Sequence, residues 1–313
     1  MNTVILCPGQ GAQAIGMSKA WSEVSEAARS IFERADIVLG DSLGAPLSTL
    51  CFEGPEDTLN RTDVSQPAIY TASVACLAGW LDESNKTINE LGIVATAGLS
   101  LGEYTALHLS GAFSFEDGLR LVTLRGRAMQ DAAEAVPSSM VALIGADEDK
   151  ANAVCQMARE GDVLVTANFN APGQVVISGS VTACDRAELV ASEMGLRATR
   201  LSVAGAFHSP IMQPAADRLA EALAATHINT PSCTVMSNVT AAPHEPDPDT
   251  IRLRLVEQLT SPVRWSACCE ALIKSHEDAS FHELAPGKAL AGMMRRINRD
   301  TKVEGHTEPA TVS

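Results

Sequence analysis

The sequence predicts an α/β protein in which a small β-α-β-β-α-β unit is inserted into a larger α/β body. Three observations carry this. Short β-rich runs at 3–7 and 93–97 each lead into a glycine turn, as buried strands entering loops do. Apolar residues at helical spacing fill much of the chain between and after them. From 140 to 203 the pattern changes to four apolar runs separated by helical patterns in the split βαβ, or ferredoxin-like, order.

Taken along the chain, 3–7 stops at Pro8-Gly9 and is the first strand. Between 65 and 81, Ser65 and Pro67 supply a helix start, and Tyr70, Val74, Leu77 and Leu81 recur on one helical face, predicting an amphipathic helix. A buried strand at 93–97 is followed without a spacer by a helix at 101–109. Ser114 with Glu116 and Asp117 opens another helix that ends near Ala135, ahead of Pro137. The inserted unit has apolar runs at 140–145, 163–167, 174–178 and 199–203, with helices at about 148–160 and 181–194. A helix near 210–226, a strand near 233–237 and the acidic loop AAPHEPDPD come next. Helices near 249–275, a strand at 279–284 and a helix at 288–298 complete the pattern. The polar tail beyond Asp300 is expected to fray.

Composition narrows the function classes. With 313 residues, 46% hydrophobic and 19% charged, the chain can bury a core and is too apolar for general disorder. Its net charge of −15 disfavours nucleic acid and anionic lipid as partners. No apolar run approaches the ~18 residues of a membrane span, and the start MNTVILCPGQG lacks the charged n-region of a signal peptide. A cytoplasmic protein is expected. Eight scattered cysteines without a CxxC pair read as reduced thiols.

Gly98-Leu99-Ser100-Leu101-Gly102 matches G-x-S-x-G between a strand and a helix, the setting a nucleophile elbow needs. An ordinary glycine-rich turn with a capping serine is the bland alternative. Gly9-x-Gly11-x-x-Ala14 imitates a dinucleotide fingerprint, but Glu33 and Asp36 fall inside a helical pattern instead of closing a second strand. A loop of backbone donors is the better reading. Among seven histidines, His208 stands out in a loop directly after the predicted strand 199–203, where it could serve Ser100 as base. His282 adjoins Glu283 without an HExxH helix, so no metal is expected.

Arg125 is informative without any motif. Its helical neighbours Leu121, Val122, Ala128 and Met129 are apolar, whereas Arg120 and Arg127 have polar surroundings. Arg125 therefore faces inward and needs an anion, either an internal Asp or Glu or a substrate carboxylate held in a bidentate fork.

The blocks PGQGAQ, GLSLGEYTAL, TLRGRAMQDA, NAPGQVVISG, GAFHSPIM, QLTSPVRW and ELAPGKALAGMMRRI, in order from residue 8 to residue 297, resemble the malonyl-CoA:acyl carrier protein transacylases. The resemblance implies an α/β-hydrolase-like domain at 1–136 and 204–313 with a ferredoxin-like insert at 137–203. It implies Ser100 as nucleophile, His208 as general base, the Gln258 carbonyl as the group orienting that histidine, and the N–H groups of Gln10 and Leu101 as oxyanion hole. Arg125 would hold the malonyl carboxylate, and Phe207 would crowd out an α-methyl branch. Leu99 stands where the family usually carries histidine, beside the acyl pocket. Malonyl-CoA and acyl carrier protein are the implied partners of a monomer, with the CoA thioester and the carrier's phosphopantetheine as substrates and no bound cofactor.

Acyl carrier proteins are generally acidic, so docking on a chain of this charge calls for a local basic surface, expected at Lys288, Arg295, Arg296 and Arg299. Competing readings are a stand-alone acyltransferase of a polyketide pathway, a serine hydrolase or thioesterase, and a noncatalytic carrier-binding module. Classical α/β-hydrolases place their histidine near the C-terminus, whereas 313 − 208 = 105 residues follow His208 here.

Overall fold

The computed structural model describes residues 2–310; residue 1 and residues 311–313 of the expected domain segments lie outside the described residues. The described residues form nine strands: β1 (Thr3–Cys7), β2 (Ile93–Gly98), β3 (Ser138–Ile144), β4 (Leu164–Ala171), β5 (Gln174–Ser180), β6 (Arg197–Arg200), β7 (Thr234–Val235), β8 (Ser280–Leu284) and β9 (Val303–His306). They form two sheets in a mixed α/β structure.

The first sheet runs β7-β2-β1-β8-β9, parallel throughout. All five residues of β1 are buried because helices cover both faces. Ile5 and Cys7 enter the core under helices Thr62–Ser84 and Phe115–Ala135, while Val4 and Leu6 meet Trp265, Cys268 and Met294 on the other side. This is the two-residue alternation of a strand serving two cores. In the second sheet, β4-β5-β3-β6, every pairing is antiparallel, and Glu148–Ala158 and Val181–Glu193 supply its helices. Val141, Leu143, Ile177, Val154 and Ala187 form its own apolar cluster. A bridge between Asn168 and Val263 ties β4 to the segment that follows Gln258.

Several expectations are corrected. The helix Thr62–Ser84 is not amphipathic: every residue from Thr62 to Leu77 is buried, because Glu26–Leu39, Phe115–Ala135 and the sheet surround it. The described part of the tail, to Ala310, includes β9, which pairs in parallel with β8; the expectation for 311–313 lies outside the described residues. Register explains this, since the short polar segment VEGH gains backbone hydrogen bonds that no hydrophobic pattern announces. The strand expected at 199–203 ends at Arg200 and belongs to the second sheet, so His208 does not project from the end of the strand before it. The chain instead crosses back through 201–207. The 210–226 helix begins with a 3₁₀ turn at Pro210–Met212, and 249–275 is two helices, Pro248–Glu257 and Trp265–Ser275.

The carboxyl ends of β1 and β2 lie side by side, with Cys7 paired to Gly98. The Gly9–Gly11 loop and the Ser100 turn therefore share one rim of the sheet, where open α/β folds bind ligands. No helix opens inside that glycine run; the next one starts at Lys19.

Candidate active site

Ser100 sits where β2 turns into the helix Gly102–Leu109, with φ at 52°, the left-handed region. Its flanking glycines are required by contact. A Cβ on Gly98 would lie 1.8 Å from the Gly102 carbonyl carbon, and one on Gly102 would lie 2.2 Å from the Cys7 oxygen. Strand and helix can approach this closely only without side chains. Asn238 staples the turn: its Oδ1 accepts the Ser100 N–H at 2.6 Å and its Nδ2 donates to the Gly98 carbonyl at 2.8 Å.

The Ser100 hydroxyl lies 2.9 Å from Nε2 of His208, which is 4% exposed. On the other side of the ring, Nδ1 is 2.7 Å from the Gln258 backbone carbonyl. A carbonyl only accepts, so the proton resides on Nδ1 and the Nε2 lone pair faces Ser100. Burial, and then the Arg125 charge, push the His208 pKa down to about 4, against the opposing pull of the Gln258 carbonyl. The imidazole is therefore neutral near pH 7 and able to accept a proton.

Arg125 is 1% exposed, as its helical spacing predicts. Nη1 donates to Gln66 Oε1 at 2.7 Å, and Nη2 donates to Gln258 Oε1 at 2.9 Å and to Ser100 Oγ at 3.0 Å. Its Nε has no partner among the described residues. Every acceptor is neutral, so the internal-acid alternative finds no carboxylate in hydrogen-bond contact with the guanidinium.

Leu99, Ser100, Phe207, His208 and Met293 line one cavity of about 350 Å³ beside this constellation. Gln10 borders it as well, and the N–H groups of Gln10 and Leu101 donate to no backbone carbonyl among the described residues. Lys288, Arg295, Arg296 and Arg299 are exposed on and around the helix Ala289–Ile297, which also carries Met293 to the cavity.

Comparison with known proteins decides the family. The acyl transferase domain family matches residues 4–308. The malonyl CoA-acyl carrier protein transacylase of Bacillus subtilis is 40% identical over 98% of this chain and 94% of its own length. The chain belongs to the malonyl-CoA:acyl carrier protein transacylase family. Among solved structures, the transacylase of Xanthomonas oryzae superposes with a TM-score of 0.90 at 39% identity, covering 98% of this chain and 95% of that one. A malonyl-transacylase in complex with a type II polyketide synthase acyl-carrier protein superposes with a TM-score of 0.90 at 34% identity, covering 100% and 98%.

The structure adds residues to this transacylase site that sequence reading missed. Glu103, fully buried, accepts from His244 Nε2 at 2.6 Å, from Gln258 Nε2 at 2.6 Å and from the Asn238 N–H at 3.1 Å. Gln258 thus works twice, its carbonyl on His208 and its amide bridging Glu103 to Arg125. The only local signal for Glu103 is one-sided: Ala106 and Leu107 follow it at helical spacing in the helix Gly102–Leu109. Gln66 and Asn238 carry no such signal. Among the described residues, no helix is long and apolar enough to cross a membrane.

Proposed function

We propose that this chain moves the malonyl group of malonyl-CoA to the phosphopantetheine thiol of acyl carrier protein through a malonyl ester on Ser100. The observation that carries this reading is Arg125, a buried cation 3.0 Å from the nucleophile whose hydrogen-bond acceptors are all neutral. A substrate carboxylate at that point completes the site.

His208 Nε2 takes the Ser100 proton as Oγ attacks the thioester carbonyl. The developing oxyanion is held by the N–H groups of Gln10 and Leu101. CoA leaves with the proton from His208. In the second half the carrier thiol gives its proton to His208 and attacks the ester, and Ser100 leaves reprotonated. Arg125 disfavours the imidazolium formed in each half, so a bound malonyl carboxylate, by offsetting the guanidinium charge, also assists proton transfer. CoA and the carrier arm act as substrates, and no resident cofactor is invoked.

The rim cations Lys288, Arg295, Arg296 and Arg299 are assigned to carrier docking, supported by their exposure on a helix that reaches the cavity through Met293. Residues 1–136 and 204–313 are assigned to a hydrolase-like domain and 137–203 to a ferredoxin-like insert, supported by the separate sheets and apolar clusters. Eight free cysteines suit a reducing cytosol. Fatty acid synthesis is the pathway the motif resemblance implies, and the relative solved with a polyketide carrier supports a polyketide role as the second reading.

Intact mass after mixing with malonyl-CoA tests the proposal. Wild type should gain one malonyl group and Ser100→Ala none, and the adduct should discharge on addition of carrier. An adduct that persists in Ser100→Ala would overturn the nucleophile assignment, and discharge to water without carrier would make this a hydrolase.

A further inference from the structure

The outer edge of the first sheet places metal-binding side chains where sequence reading expected no metal and, at Val303–His306, no strand. In the parallel register of β8 and β9, His282 lies opposite Glu304 and Leu284 opposite His306. Side chains two apart along a strand share a face, so Ser280, His282, Glu304 and His306 stand together on one side. His282 Nδ1 is 2.9 Å from His306 Nε2 and 3.8 Å from Glu304 Oε2, and one donor atom from each of the three lies within 4.8 Å of the others. Trp80 covers both rings, its centroid 3.9 Å from that of His306 and 4.8 Å from that of His282.

We propose that His282 Nδ1, His306 Nε2 and Glu304 form a binding site for a divalent first-row transition ion, with zinc as the reference ion. Tetrahedral zinc with nitrogen and oxygen ligands near 2.0–2.2 Å sets donor atoms roughly 3.3 Å apart, a spacing bracketed by the 2.9 and 3.8 Å seen here. The adjustment falls mainly on Glu304, whose side chain is 70% exposed and free to swing inward.

The neighbouring groups fit the role. Ser280 Oγ lies 2.9 Å from His282 Nε2. Donation from Nε2–H to that hydroxyl leaves the Nδ1 lone pair facing Glu304 and His306, the usual outer-shell arrangement of a ligating histidine. The proton that His306 Nε2 now shares with His282 Nδ1 moves to His306 Nδ1 when metal enters, so both facing nitrogens bind as neutral imidazoles. Two surface cavities meet at Glu304, one lined also by His282 and the other by His306 and Trp80, giving an entry path and an open fourth position.

The site spans two strands and so fastens β9, the last strand, to the sheet. His306 also anchors it inward, its carbonyl accepting from Trp21 Nε1 at 2.9 Å and from the Cys76 thiol at 3.0 Å.

The test is calorimetric titration of chelator-treated full-length protein with zinc chloride. One equivalent should bind at micromolar affinity and raise the thermal midpoint. Glu304→Gln, an exposed change that leaves folding alone, and Ser280→Ala should each weaken binding about tenfold or more, and His306→Ala should abolish it. Undiminished binding in Glu304→Gln, or one equivalent retained in His306→Ala, would overturn the site. Should His306→Ala fail to fold, electron paramagnetic resonance of the wild-type copper(II) adduct decides the matter. Superhyperfine coupling to two imidazole nitrogens is the expected result, and coupling to none refutes the proposal.

Discussion

Arg125 Nη2 lies 3.0 Å from Ser100 Oγ, closer to the nucleophile than to any acid that could neutralise it. Its other partners, Gln66 and Gln258, offer amide oxygens. The guanidinium is thus desolvated and held in place, with the buried Glu103 reached only through the Gln258 amide and no carboxylate in direct contact.

Arg125→Ala should therefore remove malonyl selectivity and spare the fold. Losing one member of a desolvated charge pair costs roughly 3 to 5 kcal/mol, a drop of about a hundredfold or more in kcat/KM for malonyl-CoA. Acetyl-CoA has no carboxylate to strand, so its transfer should hold or rise. Both rates and the thermal midpoint on the same variant check this: a destabilised enzyme with an unaltered malonyl to acetyl ratio would eliminate the clamp.

The pH profile should follow His208. Its pKa is pushed down to about 4 in the folded protein, below the usual ~6.5, so the active neutral form persists until the solution is strongly acidic. kcat/KM should be flat from about pH 6 to 8 and fall with unit slope on the acid side. Arg125 is one of the two lowering causes, so Arg125→Ala, assayed with acetyl-CoA, should move that limb to higher pH. A wild-type limb centred near 6.5 would contradict the buried, Arg125-facing environment. The same shift has a stability consequence. Between about pH 6.5 and 4 the unfolded chain binds the proton that folded His208 refuses, so this group's contribution is present above that window and is lost as pH falls through it. A thermal midpoint measured across these pH values reads the effect.

Phe207, 5% exposed, lines the cavity next to His208. If its ring fills the space beside the thioester α-carbon, Phe207→Ser should bring methylmalonyl transfer closer to malonyl transfer by about 1 to 3 kcal/mol, the worth of one methyl group against such a wall. The ratio of the two kcat/KM values is the measurement. No change would shift attention to Leu99, which lines the same cavity.

Charge reversal at Arg295 and Arg296 should raise KM for the carrier several-fold and leave KM for malonyl-CoA nearly unchanged. Both side chains are exposed near the end of the helix that carries Met293 into the cavity. Unmoved parameters for both substrates would place the docking surface elsewhere. Rising ionic strength should weaken carrier affinity in the wild type more than in the double variant, because exposed charges are screened.

Features written in short-range chemistry are legible in the order of the amino acids. Residues 93–109 could be read as strand, turn and helix because an apolar run at 93–97 meets a G-x-S-x-G turn and a helical pattern, and the close backbone approach at Gly98 and Gly102 shows why those two glycines are needed. Arg125 could be placed inward because helical neighbours three and four apart share its face. The remaining contacts of the site join residues far apart in the chain. Asn238 reaches the Ser100 N–H, Gln66 reaches Arg125, and Glu103 gathers His244 and Gln258, and nothing local marks the first two. The helix Thr62–Ser84 looked one-sided by its spacing yet is enclosed by neighbours whose positions periodicity does not encode. The polar segment Val303–His306 looked like a loose end and became an edge strand. The reason is physical: periodicity and turn chemistry act over a few residues, whereas strand register and the pairing of buried polar groups are chosen by the packing of the whole chain.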